Sequence, residues 1–354
     1  MAIGGLVLPF LFLWTLLTWP VAGNAAADAP VRVLRVLAWP GYADRDVVKG
    51  FETRHLVKVD LTLVDSDEAL WEKVSADRGA NIDVFAVNTA ELQRYIDEGL
   101  VRPIDVTTIP NTRRQLPRFR DLTRIAGLTR DGKAYGIPYT YAEMGLIYDR
   151  NQFPTPPDSI AALWDPQLRG RVLAYDTGGH NFSLAALRLG SQSPFRIEAA
   201  DWPEAVDELI ALRRNVLGFY TRPDEATELF IRHRVALMFA NYGRQQVQAL
   251  KAAGADIGYT IPKEGALAWL DCWAVSRATA DSALAYAWID YTLESHVSRL
   301  LVSRQGLANT IDEPPTDGAD RRLIWLEPTE DAERRDKLWA RIVSGDSAKR
   351  VLAP

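Results

Sequence analysis

The 354-residue chain predicts an α/β fold, doubly wound and built in two parts. Three observations carry this. Strand and helix periods alternate from Val33 onward, a second α/β set begins with "GIPYTYAEMGLIYD", and the length suffices for two ordinary cores. With no internal repeat and no low-complexity linker, the two parts are expected to be joined by short crossovers.

Taken in order, "VRVLRVLAW" reads as a strand ending at the Pro40-Gly41 turn, and "DRDVVKGFETRH" spaces Val47, Val48 and Phe51 along one helical face. "VKVDLTLVD" alternates Val57, Val59, Leu61 and Leu63, a strand period. A helix around Ala69 to Val74, the strand "IDVFAV" and the helix "TAELQRYIDEG" follow, the last capped by Thr89 and ended by Gly99. Such repetition implies a parallel sheet covered on both faces. In the second set, helices are expected near Phe182 to Leu189, Pro203 to Arg214 and Glu225 to His233, then the strand "VALMFAN". Strand-like sequence returns at Ala266 to Val275, with a helix at Ser282 to Leu293.

Composition narrows the class. With 47% hydrophobic and 25% charged residues the chain is globular, and a net charge of −5 argues against nucleic acid or an anionic membrane as partner. Met1 to Ala27 contains no charged side chain, and its apolar run gives way to "AGNAAADA", the pattern of an export signal cleaved near Ala25 or Ala27. It lacks the basic start of such signals, which leaves a retained membrane anchor as the alternative; Pro9 and Pro20 count against a regular spanning helix. Cys272 is the only cysteine, so no intramolecular disulfide forms in an oxidising compartment.

Common enzyme signatures are missing. "GLTRDGKA" has phosphate-loop spacing, but Ala134 stands where Ser or Thr would hold magnesium, and Asp131-Gly132 fits a hairpin turn better. The four histidines show no metal-ligand spacing, and no cofactor is expected. Aromatics recur instead at strand ends: Trp39 and Tyr42, Tyr139 and Tyr141, Phe239 and Tyr242, Trp269 and Trp273. Open α/β sheets bind ligands at the carboxyl ends of their strands, so these rings are candidates to line one cleft. Asp271 lies between Trp269 and Trp273, and an ionised carboxylate among aromatics needs a partner. Indole faces and a carboxylate together suit a cationic amine.

The segments "LAWPGYADRDVVKGFETRHLVKV", "DSDEALWEKV", "DGKAYGIPYTYAEMGLIYD", "VALMFANYG" and "IPKEGALAWLDCWAV", in this order, resemble the periplasmic spermidine/putrescine-binding proteins of ABC importers from about Val33 to Asn309. The resemblance implies the type II periplasmic binding fold, two α/β lobes joined by crossover strands near Tyr139 and Tyr259. It divides the chain into a leader at 1–27, a first lobe from 31–138 plus 260–310, a second lobe at 139–259, and a helical segment at 311–354 packed on the second lobe.

By the same resemblance, Trp39, Phe239 and Trp269 match aromatic binding positions and Asp271 the amine-binding carboxylate; Tyr42 and Asn88 complete the expected set. Departures are equally specific. Gly41 and Tyr242 stand where the family places acids, His180 falls near a third, and Leu307 replaces an aromatic. Glu143 is a candidate replacement acid and Arg244 a candidate partner for a ligand carboxylate, which would favour a zwitterionic or opine-like amine; both also read as ordinary surface charges. The implied protein is a monomeric, non-enzymatic periplasmic receptor that hands an amine-bearing small molecule to an ABC permease. Two other classes stay open: a periplasmic enzyme using Asp176 and His180 as general acid and base, and a sensor subunit that transports nothing.

Overall fold

The computed structural model describes residues 1–2, 31–312 and 322–353, so the leader expected at 1–27 lies, apart from its first two residues, outside the described residues. The first sheet opens with β1 (Val33–Ala38), α1 (Arg45–His55), β2 (Lys58–Leu63), α2 (Asp67–Ser75), β3 (Val84–Asn88) and α3 (Thr89–Asp97). β1 runs parallel to β2, with Val33 opposite Lys58 and Ala38 opposite Leu63, and parallel to β3. Helix α1 buries Val47 and Phe51, as their spacing predicts, and ends where Leu56 turns left-handed at φ 52°. Asn88, not Thr89, caps α3: its side chain accepts from the Ala90 N–H, while Thr89 is already helical. Gly99, at φ +65°, follows the end of that helix.

After a short helix α4 (Pro117–Arg120) comes a hairpin, β4 (Thr129–Arg130) and β5 (Lys133–Ala134). Asp131 and Gly132 both have positive φ, 53° and 71°, the backbone that an Asp-Gly hairpin turn requires. The chain then enters β6 (Gly136–Met144), passes Gly145, and begins a second sheet with β7 (Leu146–Asp149). That sheet is filled by β8 (Val172–Tyr175), α5 (Gly178–Arg188), α6 (Trp202–Asn215), β9 (Gly218–Tyr220), α7 (Pro223–Arg232), β10 (Leu237–Phe239), α8 (Arg244–Ala252) and β11 (Ile257–Thr260). Its strand order is β11-β7-β10-β8-β9.

β12 (Ala266–Val275) returns the chain to the first sheet, followed by α9 (Ser282–Thr292), α10 (Ser295–Leu300), β13 (Ala308–Asn309), β14 (Leu323–Trp325), α11 (Ala332–Val343) and α12 (Ala348–Val351). The order there is β13-β6-β12-β3-β1-β2, with β14 also pairing β12. Two α/β lobes result, but neither sheet is parallel throughout. In the first sheet β12 runs antiparallel to β3 and β6 and parallel to β14, and in the second β7 runs antiparallel to β10 and β11. β12 enters the first sheet from the second lobe and β7 enters the second sheet from the first, so these two run opposite to the strands fed by helical crossovers, whereas β6 and β11, which leave their sheets, run the same way as those strands.

Two expected boundaries shift. Tyr139 does not mark the first crossing; it sits inside β6, and the passage falls at Gly145. The C-terminal segment does pack α11 on α5 and α6, yet β14 adds a strand to the first sheet, so the segment touches both lobes. Arg335 anchors it. This fully buried side chain donates to Glu330, to the Gly179 and Pro194 carbonyls and to Ser183 Oγ at 2.8–3.2 Å.

Candidate functional site

The strands that helices follow, β1, β2 and β3 in the first sheet and β8, β9 and β10 in the second, lead into polar or aromatic groups on the interlobe side. Trp39 and Tyr42 follow β1, Asp67 follows β2 and Asn88 closes β3; in the second lobe Tyr175 closes β8 with His180 following it, Tyr220 closes β9, and Asn241 and Tyr242 follow β10. This is where open α/β sheets place ligands, because the strand ends leave a crevice between diverging loops.

Asp271 is the centre of the first-lobe half. On β12 it lies opposite Asn88 on one side and Thr140 on the other, and it is 6% exposed. The Tyr42 hydroxyl donates to its Oδ2 at 2.5 Å and the Asn88 amide to its Oδ1 at 3.2 Å. The carboxylate therefore has two hydrogen-bond partners among the described residues, both neutral. Burial pushes its pKa up to about 6, while the Tyr42 and Asn88 hydrogen bonds hold it down. Tyr42 is fixed in turn, since the Tyr139 hydroxyl donates to its carbonyl at 2.8 Å and the two rings meet edge to face at 5.7 Å. Tyr139 is placed by a bulge: Asp271 faces Thr140 but Cys272 faces Pro138, which leaves Tyr139 as the extra residue. Half-buried Trp39 completes this wall; its indole N–H is buried and has no acceptor among the described residues.

The second-lobe half is aromatic. His180 Nδ1 lies 2.9 Å from Asn241 Oδ1; an amide oxygen only accepts, so Nδ1 carries the proton and Nε2 is left as an acceptor. Burial holds the imidazole down to about 4, so it is neutral at neutral pH. Tyr175 stacks on His180 at 5.9 Å and meets Tyr242 edge-on at 5.7 Å. Trp269, from β12, donates its indole N–H to the Asn241 carbonyl at 3.0 Å and so joins the two halves.

Other candidates lie apart from this cluster. Glu143 and Arg244 face each other, Nε to Oε1 at 3.2 Å, and Glu143 is buried. Ala268 pairs with Glu143 and Asp271 with Thr140, and residues 268 and 271 differ by an odd number, so Glu143 and Asp271 occupy opposite faces of the β6–β12 ribbon. Phe239 is 1% exposed and belongs to the core, which leaves no ring face for a ligand. Asp176, expected beside His180 in the enzyme reading, accepts from the Trp339 indole at 2.8 Å, while His180 turns to Asn241; they form no acid–base pair.

Sequence reasoning missed Asp67 and Tyr175. Tyr175 carried the same signal as the rings that were chosen, an aromatic at a strand end. Asp67 opens α2 behind its cap Ser66 and looks like an ordinary helix-start acid. Its side chain is exposed, and the protein packed around it, with the charges of Glu91, Asp271 and Glu68, raises its pKa. Among the described residues no group of three or more His, Cys, Asp or Glu side chains is placed to hold a metal ion.

Two lobes sharing crossing strands, with rings and a buried carboxylate gathered at the strand ends that face one another, are the arrangement of a solute receptor. The chain belongs to the bacterial extracellular solute-binding protein family, whose model matches residues 46–313. It is 24% identical over 295 residues to spermidine/putrescine-binding periplasmic protein 1 of Haemophilus influenzae, covering 83% of this chain and 78% of that one. Against the putrescine-binding periplasmic protein PotF of Escherichia coli the identity is 25%, over 78% and 76% of the two chains. A solved structure of a spermidine/putrescine ABC transporter protein from Listeria monocytogenes superposes with a TM-score of 0.73 at 22% identity, over 88% and 98% of the chains. The resemblance read from the five quoted segments and the type II periplasmic binding fold both stand, as does the reading of a non-enzymatic binding protein. Among the described residues no helix is long and apolar enough to cross a membrane.

Proposed function

We propose that this protein is the periplasmic substrate-binding component of an ABC importer and captures a polyamine or a related amine in the crevice between its lobes. The observation that carries the reading is Asp271, a buried carboxylate held by two neutral donors, with Trp269 two residues before it on the same face of β12 and Trp39 at the end of β1. A buried anion with no cation against it attracts an ammonium strongly, and an indole face adds roughly 0.5–2 kcal/mol. Closure of the lobes on the ligand then shifts the population presented to membrane permease subunits. Curated relatives named for spermidine or putrescine binding support the substrate class.

A zwitterionic or opine-like ligand needs a cation for its carboxylate, and the candidate, Arg244, already faces Glu143 on the other side of the ribbon. That observation favours the simple amine. Isothermal titration with spermidine tests the reading, using protein unfolded and refolded to strip any co-purified ligand. Binding that Asp271→Ala abolishes is the expected result; folded protein that takes up no amine overturns it.

A further inference from the structure

Asp271 supplies one carboxylate, and a diamine carries two ammonium groups. The positions first considered for the other end do not serve: residue 41 is glycine, Tyr242 gives its hydroxyl to the Thr221 carbonyl, and Glu143 faces Arg244 across the ribbon. Asp67 is differently placed. β12, β3, β1 and β2 are consecutive neighbours in the first sheet, and their interlobe ends carry Asp271, Asn88, Trp39 with Tyr42, and Asp67 in that order. A row thus runs across the strand ends with an acid at each extremity and aromatic surface between.

Two further observations single Asp67 out. Its carboxylate has no hydrogen-bond or ion-pair partner among the described residues, and every charge that acts on it, from Glu91, Asp271 and Glu68, is negative. Asp67 follows β2 at the same sheet end as Trp39 and Asn88, within electrostatic reach of Tyr42 and Asp271 in the first lobe and of Tyr175 and Tyr242 in the second.

Resting on the amine reading above, we propose that Asp67 is the second ligand carboxylate: Asp271 holds one ammonium, Asp67 the other, and the methylene chain lies along Trp39 and Tyr42, so the crevice selects dications over monoamines. Tyr175 and Tyr242 then cover the Asp67 end when the lobes close. His180, neutral and with Nε2 as an acceptor, adds a hydrogen-bond site without adding charge.

The test is titration of wild type and Asp67→Asn with putrescine and with butylamine at low salt, alongside thermal melts. The substitution keeps the size of the side chain and leaves the Ser66 cap intact. Expected is a fall in putrescine affinity of about tenfold or more, with butylamine affinity changed by less than about twofold, because only the dication loses a charge partner. Asp67→Glu should recover part of the loss. Wild-type binding whose putrescine-to-butylamine ratio is unaltered by Asp67→Asn overturns this proposal and leaves the amine reading standing. Wild type that binds neither amine overturns both.

Discussion

The hydroxyl of Tyr42 donates to Oδ2 of Asp271 at 2.5 Å, linking the loop after the first strand to the strand that returns from the second lobe. Hydrogen bonds to a charged group contribute about 1.5–3 kcal/mol. Tyr42→Phe should therefore push the Asp271 pKa above its present value of about 6 and weaken amine binding at pH 7 by about tenfold or more. The Tyr42 carbonyl still accepts from Tyr139, so the loop keeps its place. Calorimetric titration of the variant checks the affinity, and an unchanged value would show that the Tyr42 hydroxyl does not hold the carboxylate ready.

Amine affinity should depend on pH in a defined direction. An ammonium ligand binds the ionised form of Asp271, so below about pH 6 affinity should fall by about tenfold per unit, and above it should level off. Asp67, also raised, extends the rise upward if it contacts the ligand. Binding near pH 6 must release protons, which titrations in buffers of different ionisation heat will detect. The effect on folding has the opposite sign. Asp271 ionises near 3.8 when unfolded and near 6 when folded, so the unfolded state loses its proton first and stability falls as pH rises from about 4 to about 6. The cost is about 3 kcal/mol on that account, and melts of the ligand-free protein across this window measure it.

Local periodicity sufficed for β1 to α3, because Val47 and Phe51 on one helical face, or Val57 and Val59 on one strand face, need only their near neighbours to declare a buried side. Strand direction was not legible. Nothing within "LAWLDCWAV" states that the segment arrives from another lobe, and only that arrival makes β12 antiparallel. The same limit governed the site. Tyr42 and Asp271 stand 229 residues apart, and Glu143 and Arg244 101 apart, so no window of sequence holds either pair. Whether Glu143 shares a face with Asp271 turns on register across β6 and β12, which depends in turn on the bulge at Tyr139. Asp67 escaped notice because a helix-start acid is stabilising wherever it occurs; only the fold shows that this one faces a crevice.

Arg335 holds the C-terminal helix to the second lobe. Its guanidinium is fully buried, paired with Glu330 and bonded to the Gly179 carbonyl at the start of α5, the helix that carries His180, and to the Pro194 carbonyl beyond the end of that helix. Arg335→Ala leaves those acceptors inside the protein without their donor, a loss of about 3–5 kcal/mol. A melting temperature lowered by several degrees, with hydrogen exchange accelerated in α5 and α11 more than in β1 to β3, is the expected result.

The passage between lobes at Gly145 is held by Tyr259, whose hydroxyl donates to the Glu143 carbonyl at 2.8 Å and accepts from the Gly145 N–H at 3.1 Å. One oxygen thus bridges both sides of Met144. Arg244 lies over the same ring at 5.6 Å and bonds the Glu143 side chain, and Gly243 before it, at φ +52°, brings its Cα so close that an added Cβ would sit 2.5 Å from the Glu143 oxygen. Backbone atoms cannot yield as a flexible side chain can, and the left-handed φ is itself unfavourable to alanine, so Gly243→Ala should destabilise the protein strongly. Tyr259→Phe is milder: it removes both hydrogen bonds of the bridge, keeps the ring under Arg244, and should lower stability by about 1–3 kcal/mol. Because the bridge lies where the chain leaves the first sheet, its loss should also loosen the relative placement of the lobes. Small-angle scattering of ligand-free Tyr259→Phe should then show a broader distribution of sizes than wild type, converging with it when ligand closes the crevice. A distribution identical to wild type, with stability alone reduced, would place the pivot elsewhere.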